Sequence, residues 1–307
     1  MLMMEKAFQD RLLSTFQGVV KFQEPLKNHT SFGIGGPADC LAEVRSLDEL
    51  RTLISLAREF QQPVFILGKG SNLLVRDGGI RGVVIRLAGE FAKVMVREGD
   101  MLAAGSASLI SSLLRMSIQH RLIGLEFATG IPGTLGGALC MNAGTAEEGI
   151  GSLVKEVAVV YEDGSLATLS GDKLHFSYRR SCLPPPGGII TSAILHLPQA
   201  EQGDDILARI RERYLYRLRS QPLRERSAGC IFKNPPGESA GRLIDWAGLK
   251  GVSIGGAQVS TRHGNFIINR QGATCADVLR LMELIREKVY QSFGLILETE
   301  VLVVGEG

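Results

Sequence analysis

Three groups of residues, far apart in the chain, carry side chains suited to chemistry on a small polar molecule. The first is Ser227-Ala228-Gly229-Cys230-Ile231-Phe232-Lys233-Asn234-Pro235. Its glycine lets backbone approach a ligand closely, and a thiol presented there can deliver a proton to a reacting carbon. A buried cysteine in a strand after a turn would give the same pattern. The second is Phe176-Ser177-Tyr178-Arg179-Arg180-Ser181. The planar fork of an arginine beside an aromatic ring suits a carboxylate or an enolate, although a surface ion pair is the plainer explanation. The third is Leu297-Glu298-Thr299-Glu300-Val301. Strand alternation would place Glu298 and Glu300 on one face and Leu297, Thr299 and Val301 on the other, which equally describes two solvated glutamates on an edge.

Two glycine-rich segments could serve a phosphate group. Gly68-Lys69-Gly70-Ser71-Asn72 follows an apolar run, and Gly130-Ile131-Pro132-Gly133-Thr134-Leu135-Gly136-Gly137 lies well downstream. Backbone amides freed in such turns form concavities that bind anions. Neither is a Walker loop, because no Gly-Lys-Ser/Thr follows, and neither completes a dinucleotide fingerprint. A glycine turn is also simply a turn, and these segments alone do not say which nucleotide would be bound.

These groups must be positioned by a chain of 307 residues, enough for two or three domains of ~100–200 residues each. Hydrophobic content of 45% and charged content of 21% suit a globular protein. A net charge of +2 gives no field to steer it toward nucleic acid or a membrane. Five scattered cysteines without a C-x-x-C pair suggest neither a disulfide framework nor a metal site, and fit a reducing compartment. Residues 1–17 carry Glu5, Lys6, Asp10 and Arg11 among apolar side chains, unlike the core of a signal peptide. The weakly charged stretch 124–144 holds six glycines, Pro132 and Glu126, unlike a membrane helix.

Residues 38–44 read as a strand. Ser46 and Glu49 then form a capping-box pattern ahead of Leu50, Leu53, Ile54, Ala57 and Phe60 at helical spacing. Residues 63–67 give a second strand, so that this region reads as a β-α-β unit closed by Gly68. Short strands follow at 72–75 and 82–87, and a helix at 106–120. Strands 155–161 and 165–169 flank the turn signal Glu162-Asp163-Gly164. A strand at 189–197 and a basic amphipathic helix at 204–219 complete this part. Beyond about residue 220 come the Cys230 strand, a helix at 239–246, a strand at 265–269, a helix capped by Thr274 with Asp277 in its first turn, and a closing strand at 295–304.

Taken in order, Asn28-His29-Thr30-Ser31-Phe32-x-x-Gly35-Gly36-Pro37-Ala38, the two glycine segments, Asn142-Ala143-Gly144, Tyr178-Arg179-x-Ser181, the Cys230 motif and Glu300-Val301 resemble the UDP-N-acetylenolpyruvoylglucosamine reductase family from about residue 24 onward. The resemblance implies an α+β protein with the vanillyl-alcohol-oxidase-like (PCMH-type) FAD-binding fold. It would comprise FAD-binding subdomain 1 (1–88), FAD-binding subdomain 2 (89–202) and a C-terminal α+β substrate-binding domain (203–307). FAD would be bound non-covalently, with NADPH as hydride donor. Gly68, Lys69, Gly70, Ser71 and Asn72, with Gly130, Ile131, Pro132, Gly133, Gly136 and Gly137, would wrap its pyrophosphate, and Asn142 and Gly144 would lie near the flavin.

The resemblance also implies a catalytic trio. Arg179 would stabilise charge developing on the substrate, Glu300 would assist by hydrogen bonding, and Cys230 would donate the final proton. Many relatives carry serine at the Cys230 position. A thiol with a reference pKa of ~8.5 is mostly protonated at neutral pH and a better acid than an alcohol. Tyr178, Lys233, Asn234 and His263 would line the substrate site, though a structural histidine is an equal reading for His263. The short connection from Arg179 to Cys230 matches the family type without an extra tyrosine-bearing lobe. Such an enzyme would be a cytoplasmic monomer that acts on a UDP-sugar in peptidoglycan precursor synthesis, and thereby serves cell shape and division, with no nucleic-acid partner and no membrane insertion. A flavin oxidase of the same fold, indifferent to NADPH, and a non-catalytic nucleotide-binding regulator are the alternatives; bleaching of a flavin band by NADPH separates all three.

Overall fold

Ser46 starts the first large helix, Leu47–Glu59. In the computed structural model, which describes residues 6–98, 100–145 and 147–307, its hydroxyl accepts from the Glu49 N–H at 3.2 Å. The Glu49 carboxylate reaches back to the Arg45 N–H at 2.6 Å, one residue short of a strict capping box. Leu50, Leu53, Ile54, Leu56 and Ala57 form the buried face, as the 3.6-residue period requires. Residues 1–5, which include Glu5 of the charged N-terminal segment, lie outside the described residues.

The chain divides into two compact units drawn from interleaved segments: unit one is 1–21, 40–68 and 82–215, and unit two is 22–39, 69–81 and 216–307. A division into consecutive stretches of chain does not show this interleaving.

Unit one contains most of a four-stranded sheet in which Ile80–Leu87 stands between Pro37–Val44 and Val64–Ile66. The β-α-β reading is corrected accordingly: the two strands that flank the helix are not neighbours, and Val64–Ile66 pairs in parallel with Ile80–Leu87 instead. A second, antiparallel sheet orders Val94–Arg97, Met101–Gly105, Gly188–His196, Val154–Tyr161 and Leu166–Ser170. Its last two strands form the hairpin that the Glu162-Asp163-Gly164 signal predicts. Leu102, Leu113, Leu122, Leu135, Leu139, Val157 and Leu195 fill the core beneath it. The helix expected from residue 106 begins at Ile110, because the amides of Ser106, Ala107 and Ser108 already bond to Thr191, Phe91 and Gly105 carbonyls. The basic helix is Ile206–Ser220.

Unit two is built on the sheet Ser227–Cys230, Phe266–Asn269, Ala257–Val259 and Ser253–Ile254, packed by the helix Cys275–Phe293. Thr274 caps that helix with a complete capping box to Asp277. Val278, Leu281, Met282, Ile285 and Val289 bury one stripe of it against Ala228, Phe232, Ile267 and Val301. The closing strand expected over 295–304 is a strand only at Leu302–Val304, which pairs in parallel with Leu73–Val75. Before it, Thr299 makes a single antiparallel bridge to Phe232. The chain changes partners at Val301: the amides of Glu300 and Val301 both bond to the Ile231 carbonyl, and that of Leu302 bonds to Asn72. No regular ladder can continue through such a switch, so the alternation argument for Glu298 and Glu300 fails.

Candidate active site

In unit one, the downstream glycine segment leads into the helix Leu135–Met141, whose cap is Thr134; the Thr134 hydroxyl accepts from the Gly137 N–H at 3.4 Å. Gly130 and Gly133 have φ of 73° and 149°, values that favour glycine. A Cβ on Gly136 would lie 3.0 Å from that of Ser106, and one on Gly68 would lie 2.7 Å from the Thr134 hydroxyl. Gly68 packs against Thr134, and Gly136 against Ser106, too closely for either glycine to carry a side chain. Within this unit the hydroxyls of Ser106 and Thr129 are buried and have no hydrogen-bond partner among the described residues. Buried polar groups without partners are uncommon. Two orphaned hydroxyls beside glycines stripped of side-chain bulk fit a polar, backbone-hugging group such as the pyrophosphate of FAD.

The remainder of the first glycine segment belongs to unit two. Gly70 has φ of 65°, and a Cβ there would strike the His29 carbonyl at 2.2 Å, so only glycine fits. Lys69 is exposed, and Ser71 is half-buried beside it. The Asn72 amide donates to the Glu300 carbonyl at 3.1 Å.

Arg179 sits in a two-residue turn between the short strands Phe176–Ser177 and Arg180–Ser181. Its φ is +54°, a left-handed conformation that costs a non-glycine residue roughly 1–2 kcal/mol. The guanidinium donates to the Gly144 carbonyl at 3.0 Å and lies 5.1 Å from the centre of the Tyr178 ring. Asn142, itself left-handed at φ 44°, ends the Leu135–Met141 helix. Its amide donates to the Ser177 carbonyl at 2.8 Å, and its carbonyl oxygen accepts from the Gly151 N–H at 2.9 Å. Nothing in the sequence pattern ties the Asn142-Ala143-Gly144 run to the Arg179 hairpin 35 residues on.

Cys230 and Glu300 lie in unit two. The Ala-Gly corner is a bulge: Gly229 has φ of 79°, and the register against Phe266–Asn269 shifts between Ser227 and Cys230. Bulges re-aim side chains and recur beside active sites. The next residue accepts the Glu300 N–H at 2.7 Å through the Ile231 carbonyl, which brings the thiol-bearing and carboxyl-bearing backbones together. Buried Asn265 locks the same strand, accepting from the Phe232 N–H at 2.9 Å and donating to the Phe232 carbonyl at 2.7 Å. Sequence reasoning missed Asn265 as a support, although it stands within the Ser260–Phe266 stretch around His263.

The expected substrate residues are already engaged within unit two. Lys233 pairs with Glu298 at 3.2 Å. The Asn234 side-chain oxygen accepts the Ala240 N–H at 3.1 Å, at the start of the Ala240–Trp246 helix. His263 accepts the Asn265 N–H through Nδ1 at 3.2 Å and packs edge-on against Phe266 at 4.9 Å. Burial, with a smaller push from Lys250, lowers its pKa, so the ring is neutral at neutral pH. Tyr178, by contrast, remains 38% exposed.

Tightly packed glycines beside two buried hydroxyls without partners among the described residues, and an arginine held in a hairpin, suit an FAD-dependent oxidoreductase. Sequence comparison agrees. The FAD binding domain family matches residues 38–170, and the family described as UDP-N-acetylenolpyruvoylglucosamine reductase, C-terminal domain, matches residues 221–304. The UDP-N-acetylenolpyruvoylglucosamine reductase of Anoxybacillus flavithermus is 42% identical, covering 98% of this chain and 99% of its own. That of Moorella thermoacetica is 46% identical, over 92% and 93%. The crystal structure of the Thermus caldophilus reductase superposes with a TM-score of 0.80 at 40% identity, over 94% of this chain and 99% of that one. The chain belongs to the UDP-N-acetylenolpyruvoylglucosamine reductase family.

Proposed function

We propose that this chain reduces UDP-N-acetylglucosamine enolpyruvate to UDP-N-acetylmuramate, with Arg179, Cys230 and Glu300 acting on the enolpyruvyl group. The observation that carries the assignment of roles is the hydrogen bond from the Glu300 N–H to the Ile231 carbonyl, which ties a carboxyl group to the backbone of the Cys230 thiol. Gly68–Asn72, Gly130–Gly137 and the Ser106 and Thr129 hydroxyls would hold FAD without a covalent link, and the bound flavin would supply hydride drawn from NADPH. The enolpyruvyl methylene carbon accepts that hydride, and negative charge grows on the adjacent carbon and its carboxylate. Arg179 stabilises this charge; a preorganised cation at such a point is worth several kcal/mol. Glu300 holds the same group by hydrogen bonding. Cys230 gives its proton to the charged carbon and completes the lactyl ether. Tyr178, Lys233, Asn234 and His263 border the substrate.

The functional division that goes with this is residues 1–88 and 89–202 for FAD and 203–307 for the UDP-sugar. The enzyme works as a cytoplasmic monomer on small molecules alone. A net charge of +2 gives no field toward nucleic acid, and among the described residues no helix is long and apolar enough to cross a membrane. The test is an anaerobic absorbance scan: NADPH bleaches the flavin band and the enolpyruvyl substrate restores it. A flavin that NADPH leaves coloured would overturn the proposal.

A further inference from the structure

We infer that Asn142 is the positioning residue for Arg179, acting through the hairpin that carries it rather than by contact with a ligand. The inference rests on the catalytic role proposed for Arg179. A non-glycine residue persists in the left-handed region only when its surroundings over-determine it, and Arg179 does so at φ +54°. Its two-residue turn is flanked by short strands that pair Phe176 with Ser181 and Ser177 with Arg180, with one further rung from the Cys182 N–H to the His175 carbonyl at 3.1 Å. The contacts nearest the turn itself come from the end of the Leu135–Met141 helix. Asn142 uses its amide N–H on the Ser177 carbonyl, immediately before the turn, and its amide oxygen on the Gly151 N–H. Two residues on, the Gly144 carbonyl receives the guanidinium itself.

The fit around Asn142 is close. A Cβ on Gly149 would come within 2.6 Å of the Asn142 side-chain oxygen, and one on Gly144 would strike the Glu148 carbonyl at 1.9 Å. Asn142 is also left-handed at φ 44°, which asparagine and glycine tolerate best. The backbone requirement and the amide requirement are therefore separable: Asn142→Gly keeps the first and deletes the second.

The experiment compares wild type, Asn142→Gly, Arg179→Gln and the double variant as FAD-loaded enzymes in anaerobic stopped flow. Reduction by NADPH and reoxidation by the enolpyruvyl substrate are measured separately. Asn142→Gly is expected to slow reoxidation by about 10- to 100-fold, the scale of a misplaced catalytic group, with FAD affinity and reduction by NADPH within about twofold of wild type. In the Arg179→Gln background it should add nothing, because the group it positions is gone. Trypsin should also cut after Arg179 or Arg180 faster in Asn142→Gly, a readout that does not depend on turnover. Normal reoxidation in Asn142→Gly, with Arg179→Gln slow, would overturn the positioning role alone. A weakened hold on FAD with unchanged trypsin cleavage would make Asn142 a cofactor contact and overturn it as well. Normal reoxidation in Arg179→Gln would instead remove the catalytic reading of Arg179 on which the inference stands.

Discussion

The Glu300 N–H and the Ile231 carbonyl are joined at 2.7 Å, so the candidate carboxyl and the residue after the candidate acid are one piece of backbone. Proton donation by Cys230 then has a direct consequence. Cys230→Ser puts a hydroxyl in place of the thiol at the same position on the bulge and should keep substantial activity. Cys230→Ala should lose about 10²–10⁴-fold, the usual worth of a positioned general acid, and only in reoxidation of reduced flavin by substrate. Stopped-flow traces of the two half-reactions decide it: an alanine variant that reoxidises at the wild-type rate removes the thiol from the mechanism.

The five cysteines should differ sharply toward alkylating reagents. Burial pushes the Cys140 thiol up to about 11, and burial with the nearby Asp77 charge pushes Cys275 up to about 11. Both are almost wholly protonated at pH 8, and thiolate is the reactive form. Cys182 is exposed, Cys230 half-exposed and Cys40 buried. Iodoacetamide at pH 8 should therefore label Cys182 and Cys230 and spare the other three, as peptide mass spectrometry would show. Cys182→Ser should remain sensitive to inactivation and Cys230→Ser should resist it. Loss of activity that tracks Cys182 labelling alone would contradict the assignment.

Local signals survived where one segment supplies its own partners. The Ser46 and Thr274 caps and the Glu162-Asp163-Gly164 turn are set by residues within a few positions of each other, and all three form. The segment 295–301 did not, because its hydrogen bonds go to Ile231, Lys233 and Asn72, which no periodicity can register. The short hairpin around Arg179 was missed for a similar reason: its strands are two residues long, and its contacts to Asn142 and Gly144 lie 35 residues away in sequence. Of the candidate site, the family resemblance offered residue types and their order as expectations. The supports were not: Asn265 is an ordinary polar residue by sequence, and Ser106 and Thr129 reveal their orphaned hydroxyls only once buried.

Arg286 should prove a second support for the Glu300 segment. It projects from the Cys275–Phe293 helix, donates to the Leu297 carbonyl at 3.2 Å and to the Thr299 hydroxyl, and places its guanidinium 5.6 Å from the centre of the Phe232 ring. Hydrogen bonds from charged groups are worth about 1.5–3 kcal/mol each, so Arg286→Met, which removes two, should destabilise the protein by about 3–6 kcal/mol in urea unfolding. It should also slow substrate-driven reoxidation more than reduction by NADPH, since residues 297–301 carry Glu300. Equal slowing of both steps would assign Arg286 to stability alone.

The Thr274–Asp277 box makes a pH-dependent contribution to stability whose sign follows from its hydrogen bonds. The Asp277 carboxyl lies below its ordinary value, chiefly because the Thr274 N–H bonds to it, with further help from Arg280. A carboxyl depressed in the folded state holds its protons less tightly there than in the unfolded chain. Its contribution is therefore complete above the unfolded value of ~3.9 and is lost as pH falls through the lower folded value. Asp277→Ala should cost about 1 kcal/mol at pH 7, the usual worth of a cap, and the cost should shrink as pH falls below about 4. Thermal melts of wild type and variant from pH 7 down to pH 3 provide the check. A gap in melting temperature that stays constant over that range would mean that the charge of Asp277 is not what the helix end uses.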